Sequence, residues 1–536
     1  MLRLAHTCEA IAATTKKNEK VRLVAGYLQS RTVDEAAASV IFLSGRAFPA
    51  YEEKTLQVGG TMLWSILREI SRKSDQELSQ AYRQYGDLGS AAHDVLLDVA
   101  PHVSSVNVVD VRREFERIAD TRGAAAKASF VRLLLQKLTP LEAKYVIKIM
   151  IGDLRIGLRE SLVEEAIAKA YGDESAQVQR ANMLLGDIAE TLQLAIEHRL
   201  ADARMRLFHP IGFMLASPAE SAEEAFEYFE HAQVEDKYDG IRAQAHVSGG
   251  EVRLFSRTLD EITESFPELP DALAAFRGDL ILDGEIVAWH RPAGSTDLGR
   301  ALPFTEIQKR LGRKKVTQSL MKEVPVAYVV FDVLYCDRDL VIDQPLTERG
   351  KMLDKIFADA VQFPGGRAKV RTRGAQGQLA FEPVIETSPT AQVLRAPVTR
   401  ADSAEELAQI FEQALERGNE GLMIKDIASS YAPGRRGKSW LKLKRELATL
   451  DVVVTAVEFG HGKRASVLSD YTFAVRASEA DDTLLNVGKA YSGLTDAEIA
   501  EMTQWFLSHT IDDEGWRRTV EPQIVLEVAF NAVMVS

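Results

Sequence analysis

The sequence predicts a multidomain chain. Residues 1–208 read as an all-α block, 209–447 as an α+β block with antiparallel sheets, and 448–536 as a small β-barrel. Three observations predict this order. At 536 residues the chain exceeds what one hydrophobic core usually serves. Its apolar period is helical over the first two hundred or so residues and becomes two from about residue 232. Past residue 448 a separate group of short strand-like runs begins.

The helical block has local start and stop signals. In "TPLEAKYVIKIMIGDLRIGL", Thr139 is placed to cap a helix, Pro140 takes the first helical position and Glu142 closes a capping box. "ESLVEEAIAKAYG" repeats apolar residues at helical spacing and stops at Gly172. "FHPIGFMLASP" (208–218), with Pro210 and Pro218, reads as the connector into the second block. There, "IRAQAHV" sets Ile241, Ala243, Ala245 and Val247 on one strand face, with Arg242, Gln244 and His246 on the other. Gly249-Gly250 then turns the chain into "EVRLFSR". "LILDGEIVAW", "VAYVVFDVLYCD", "EGLMIKD" and "WLKLK" follow as strands, with "SAEELAQIFEQALERG" (403–418) as a helix among them. In the third block "DVVVTAVEFG", "YTFAVRA", "TLLNVGKAY" and "QIVLEVAF" read as strands, with a helix capped by Thr495 and Glu498. Five or so strands and one helix suit a barrel of the oligonucleotide-binding kind, an OB-fold.

Composition narrows the class. Hydrophobic residues make up 46% and charged residues 27%, ordinary globular values. No run approaches the roughly 18 apolar residues of a membrane span, and the N-terminus lacks a signal-peptide pattern. A cytoplasmic protein with no membrane partner is expected. Cys8 and Cys336, far apart and alone, argue against a disulfide framework or a four-cysteine zinc site. The net charge of −13 does not suggest a nucleic-acid binder, but binding depends on where positive charge clusters. "IQKRLGRKK" (307–315) and "GRRGKSWLKLKRE" (434–446) are locally basic.

The chemistry begins at "EDKYDGIR" (235–242). A lone lysine before an Asp-Gly turn would usually be a strand-end ion pair. Later segments change that reading. Arg257, Glu285 beside Gly284, Phe331, Glu420, Lys442 and Lys444 add cations for phosphates, carboxylates for a divalent metal and an aromatic face for a base. In "WLKLK", Trp440, Lys442 and Lys444 share one strand face, so the lysines repel unless an anion sits between them. Together these are the parts that nucleotidyl transfer needs.

The ordered series "EDKYDGIR", "FSR", "LDGEIVAW", "FDVLYCD", "EGLMIK", "WLKLK" resembles the motifs of ATP-dependent DNA ligases, within the covalent nucleotidyltransferase superfamily. "FLSGRAFP" and "GDLRIGLRESLVEEAIAKAYG" are similar to the helical DNA-binding domain of the larger ligases, and "VGKAYSGLTDAEI" to their C-terminal barrel. The resemblance implies a helical DNA-binding domain over 1–208, an adenylation domain over 209–447 and an OB-fold over 448–536. It implies that Lys237 attacks the α-phosphate of ATP to form lysyl-AMP. Glu235 would read the adenine and Phe331 stack on it. Arg242 and Arg257 would hold ribose and phosphate, and Arg436 and Lys442 would grip phosphates, with Lys444 assisting. Glu285 would contact the ribose or a metal, and Glu420 would help place Mg²⁺ or Mn²⁺. AMP would pass to the 5′-phosphate of nicked double-stranded DNA, and the 3′-hydroxyl would displace it. A monomer that encircles duplex DNA is implied, so only inward faces need be basic. "IQKRLGRKK" and the arginines of "GDLRIGLR" (Arg155, Arg159) are candidates for that lining, against readings as a solvated loop and as surface ion pairs.

The resemblance also sets an expectation at the C-terminus. Such ligases continue into a basic motif that orients pyrophosphate, whereas this sequence ends at "EVAFNAVMVS". A chain lacking that motif should adenylylate itself poorly and suffer less in sealing a pre-adenylylated nick. The rivals are an NAD-dependent ligase, an RNA ligase, a capping-type nucleotidyltransferase and a non-catalytic, ligase-derived DNA-binding protein. Two cysteines cannot supply the zinc module usual with NAD, the helical block does not suit the RNA enzymes, and Lys237, Glu285 and Glu420 are all present. Pathway and any sliding-clamp partner are not legible.

Overall fold

The computed structural model describes the chain apart from residues 50, 53, 229–230, 292–298, 312, 314–315, 363–390, 446–447, 461–463, 465, 479–480 and 531–536. Among the described residues, twelve α-helices from Leu2–Ala12 to Ile188–Ile196 share one apolar core that runs from Met1 to Ala203. The expected caps are formed. Thr139 Oγ1 accepts from the Glu142 amide at 3.3 Å, and the buried Glu142 carboxylate accepts from the Thr139 amide at 2.9 Å. The helix Glu160–Tyr171 stops at Gly172, whose φ of 80° few other residues adopt cheaply.

Two sheets build the middle block. The first has five strands in the order β1 (Leu215–Ala219), β12 (Arg436–Lys444), β11 (Gly421–Asp426), β2 (Ala232–Lys237) and β10 (Thr399–Ala401). The second runs β4 (Glu251–Ser256), β3 (Ile241–Ser248), β5 (Leu280–His290), β7 (Val326–Cys336) and β8 (Asp339–Leu340). On it, β6 (Arg300–Ala301) pairs with β5 and β9 (Ala391–Arg395) with β7. The pairing is antiparallel with two exceptions, β1 on β12 and β9 on β7. β1 is an edge strand, where Pro218 costs no ladder bond.

The β3–β4 hairpin turns at Gly249-Gly250, both at positive φ, as a two-residue loop of this type requires. Ala243, Ala245 and Val247 enter the core of the second sheet. The polar face of β3 is also buried, because the connector docks on it. His246 Nδ1 accepts from the Phe208 amide at 2.9 Å, while Gln244 accepts from the Ile211 amide at 3.1 Å and donates to its carbonyl at 2.6 Å.

The last block is a six-stranded sheet: β15 (Asp481–Ala490), β14 (Leu468–Ser478), β13 (Ala448–Phe459), β17 (Arg517–Val520), β16 (Thr510–Asp513), with β18 (Val525–Phe530) on β13. The helix Asp496–Ser508 contributes Phe506 to its core and starts at the expected Thr495–Glu498 capping box. The β16–β17 hairpin was not expected from the sequence, since both strands are short and mostly polar. No described helix is long and apolar enough to cross a membrane.

Candidate active site

The two sheets of the middle block meet around Trp440, Ile281, Leu334 and Tyr431, and a cleft opens beside that contact. The structure brings Glu235, Lys237, Arg242, Arg257, Glu285, Phe331, Arg436 and Lys442 to this one cleft, with Met423, Lys425 and Trp440 deeper in. Glu420 reaches its edge.

Lys237 is the last residue of β2 and pairs with Gly421 of β11. The Glu420 amide donates to the Lys237 carbonyl at 2.9 Å, so the carboxylate, one residue before β11, sits beside the nucleophile candidate at the end of β2. The Lys237 ammonium is in direct contact with the Glu420 carboxylate, which also lies 3.7 Å from Lys444 Nζ. A second contact fixes this arrangement from behind. Asp236 accepts from Arg417 at 2.6 and 3.1 Å and from Asn419 at 2.9 Å, tying both residues beside their catalytic candidates. Gly421 has φ 153°, and a Cβ there would stand 2.1 Å from the Leu443 carbonyl oxygen, so Glu420 needs a glycine after it.

Phe331 shares one strand face with Ala327 and Val329 and sits at a β-bulge. In the β5–β7 ladder Asp283 pairs with Asp332 and Gly284 with Val330, leaving Phe331 as the extra residue. The alternation shifts after Phe331, so that Val333 and not Asp332 enters the core of the second sheet. Phe331 packs with Trp440 at 6.3 Å, edge to face.

Arg242 lies at the back of the cleft, already engaged. It donates to Asp283 at 3.1 and 2.8 Å and to the Met214 carbonyl at 2.6 Å, and Tyr431 completes the Asp283 shell at 2.7 Å. Gly284 leaves no room for a ligand beside its backbone. A Cβ there would meet the Val329 carbonyl at 2.6 Å and the Tyr328 ring at 2.7 Å, so the neighbouring strand fills that space.

Arg257, Arg436 and Lys442 form no ion pair among the described residues, although each lines the cleft. Burial lowers the pKa of Lys442, and the nearby Lys237, Lys444 and Arg436 push it the same way. Cations held together without ion-pair partners make an anion site.

Glu285 on β5 faces Arg242 across the ladder. Burial pushes its pKa up to about 8, against the pull of Arg242 and Lys237. Because the folded value lies above the ordinary carboxylate range, the folded state holds the extra proton between roughly pH 4.5 and 8. Stability therefore falls as pH rises through that window. Glu285→Gln removes the fall, so its melting temperature should gain on the native protein's from pH 5 to pH 8. A difference that does not change with pH would contradict this.

The described residues contain no cluster of three or more His, Cys, Asp or Glu built to hold a metal. Glu285 and Glu420 still suit a hard divalent ion of the Mg²⁺ type, which takes one or two carboxylates and completes its shell with water and phosphate oxygens.

Two basic stretches separate on inspection. In 307–315, Arg310 is fully buried and paired with Glu268 at 2.6 Å, so it cannot line a DNA path. Lys309 pairs with Glu306 at 2.7 Å, and Gly312, Lys314 and Lys315 lie outside the described residues. Arg155 donates to Asp153 and to the Gly86 carbonyl, both at 2.6 Å, whereas Arg159 is exposed at the start of the helix Glu160–Tyr171. Sequence reasoning did not single out Lys425, Asp283, Asp236 or Arg417. For Lys425 a signal existed: strand alternation in "EGLMIK" puts it on the face of Met423 and Gly421.

These parts, gathered between two largely antiparallel sheets, define a nucleotide-handling enzyme. The family described as ATP dependent DNA ligase domain matches residues 213–444, and DNA ligase N terminus matches residues 1–168. The Probable DNA ligase of Koribacter versatilis is 61% identical over 533 residues, covering 99% of this chain and 90% of that protein. The DNA ligase of Methanopyrus kandleri is 32% identical over 550 residues, covering 99% and 91%. The solved structure named Pmar-Lig_PreS3 shares the fold, with a TM-score of 0.56 at 15% identity over 96% of this chain and 97% of that one. The chain belongs to the ATP-dependent DNA ligase family. Its activity is ATP-driven DNA ligation.

Proposed function

We propose that the enzyme seals nicks bearing a 5′-phosphate and a 3′-hydroxyl through a lysyl-AMP and an adenylylated DNA. The contact between Lys237 and Glu420, beside three cations without ion-pair partners, is the observation that carries this reading. An ammonium is no nucleophile, so Lys237 must first lose a proton, and the Glu420 carboxylate is the acceptor in contact with it. The freed amine attacks the α-phosphorus of ATP. An N–P bond forms, the bond to the β-phosphate oxygen breaks, and pyrophosphate leaves with the electron pair. Arg257, Arg436 and Lys442 are placed to balance the charge on the phosphates. Glu235 faces the adenine, Phe331 stacks against it, and Arg242 acts mainly by ordering the cleft wall through Asp283. A divalent ion held by Glu420 and Glu285 would add positive charge at the phosphates.

The nick's 5′-phosphate oxygen then takes the AMP from Lys237, restoring the amine. Attack by the 3′-hydroxyl forms the new phosphodiester and releases AMP. In this reading residues 1–208 bind DNA, 209–447 adenylylate, and 448–536 form an OB-fold, with one copy of the chain acting on one nick. Most contacts to duplex DNA would go to backbone phosphates.

A nicked duplex with a radiolabelled 5′-phosphate and a dideoxy 3′ end tests the order of steps. With ATP it should accumulate the AMP-capped strand, and a 3′-hydroxyl should convert that strand to sealed product. Sealing of the 3′-hydroxyl nick while the dideoxy nick yields no capped strand would contradict the proposal.

A further inference from the structure

Lys425 is a buried charge of the cleft that the steps above leave without a role. It is 1% exposed, with Nζ 4.4 Å from the Phe331 ring centre and 4.3 Å from that of Trp440. Its ammonium donates to Glu235 Oε2 at 2.6 Å, while Gln233 Nε2 donates to Glu235 Oε1 at 2.7 Å. Gln233 faces Lys425, and Glu235 faces Met423, in the β2–β11 ladder. Both carboxylate oxygens are therefore gripped from the interior while the group still lines the cleft. Burial disfavours the charged lysine, and Glu235 is the largest opposing influence. As a stability device this is a poor choice, since a well-packed apolar pair often does as well as a buried ion pair. Its geometry suits a different task. Each carboxylate oxygen keeps lone-pair capacity after one such bond, so the group remains an acceptor toward the cleft.

We infer that Lys425, with Gln233, is a positioning residue that sets the choice of purine by holding Glu235 as a fixed acceptor. An acceptor there takes the 6-amino group of adenine and repels the 6-carbonyl oxygen of guanine. The inference rests on Glu235 facing the base. Without the ammonium, Glu235 Oε2 loses its anchor, the carboxylate is free to turn, and the discrimination against the guanine oxygen weakens.

The test is transfer of label to the enzyme from α-labelled ATP, GTP and purine-riboside triphosphate, which lacks the 6-amino group. Lys425→Met should lower the ATP-over-GTP ratio of kcat/KM by on the order of 10- to 100-fold. Its rate with purine-riboside triphosphate should stay close to the native one, and Lys425→Arg should recover part of the preference. Gln233→Leu should shift the ratio in the same direction by a smaller factor, and it decides the matter if Lys425→Met fails to fold. Equal losses with all three nucleotides would overturn the inference, leaving Lys425 a purely structural residue. If Glu235→Gln relaxes selectivity but neither of the other variants does, the base-facing reading stands and the inference falls. If Glu235→Gln leaves selectivity unchanged, the base-facing reading itself fails.

Discussion

Lys237→Ala is expected to abolish stable labelling of the enzyme by α-labelled ATP and to lower nick sealing by roughly 10⁴-fold or more, the scale of losing a covalent nucleophile. Lys237→Arg should fail as completely. It keeps the positive charge beside Glu420, but a guanidinium does not lose its proton and cannot attack phosphorus. The pair of variants thus separates charge from nucleophilicity. On a pre-adenylylated nick both should lose far less, because no lysyl-AMP is needed there. Folding should survive, since the side chain is one-fifth exposed and Lys444 still lies 3.7 Å from the Glu420 carboxylate. Labelling of Lys237→Ala at the native rate would remove the residue from the chemistry.

Asp332→Ala should produce the largest loss of stability. Asp332 and Arg349 are both fully buried and share bonds of 2.8 and 2.9 Å. Arg349 also donates to the carbonyls of Gln344 and Ser429, so it joins β7, the helix Leu346–Gln362 and the loop after β11. Removing one partner leaves a buried charge uncompensated, which costs about 3–5 kcal/mol. For a block of this size the melting temperature should drop by on the order of 10 °C. The companion variant Asp354→Ala breaks the exposed pair with Arg395, where Asp354 is 66% exposed, and should shift melting by a degree or two at most. Equal shifts in the two variants would contradict the account. Asp332 also follows the bulged Phe331, so Asp332→Ala should weaken ATP binding beyond its effect on melting.

What could be read from the sequence was what local rules specify. The caps at Thr139 and Thr495, the stop at Gly172 and the Gly249-Gly250 hairpin each depend on a few adjacent residues. The motif segments were legible in the same way, and all but Glu420 and Lys444 of the block's candidates line one cleft. Long-range packing was not legible. The bulge in β7 is not visible to alternation: one residue more than β5 at Phe331 shifts the pattern, so that Val333 and not Asp332 enters the core. Arg310 read as part of a basic loop, but its partner Glu268 lies far earlier in the chain and takes it inside. The polar face of β3 read simply as polar, and only the docked connector explains why Gln244 and His246 are buried. The β16–β17 hairpin has too little apolar alternation to announce itself.

The central claim is that Lys237 carries the AMP. Its most direct test is peptide mass mapping of the native enzyme after incubation with ATP and Mg²⁺, under alkaline handling that preserves a phosphoramidate. The account predicts a single AMP adduct, on Lys237, that is lost in acid and discharged by nicked DNA. An adduct on Lys442, Lys444 or any other residue, competent for transfer to DNA, would contradict it.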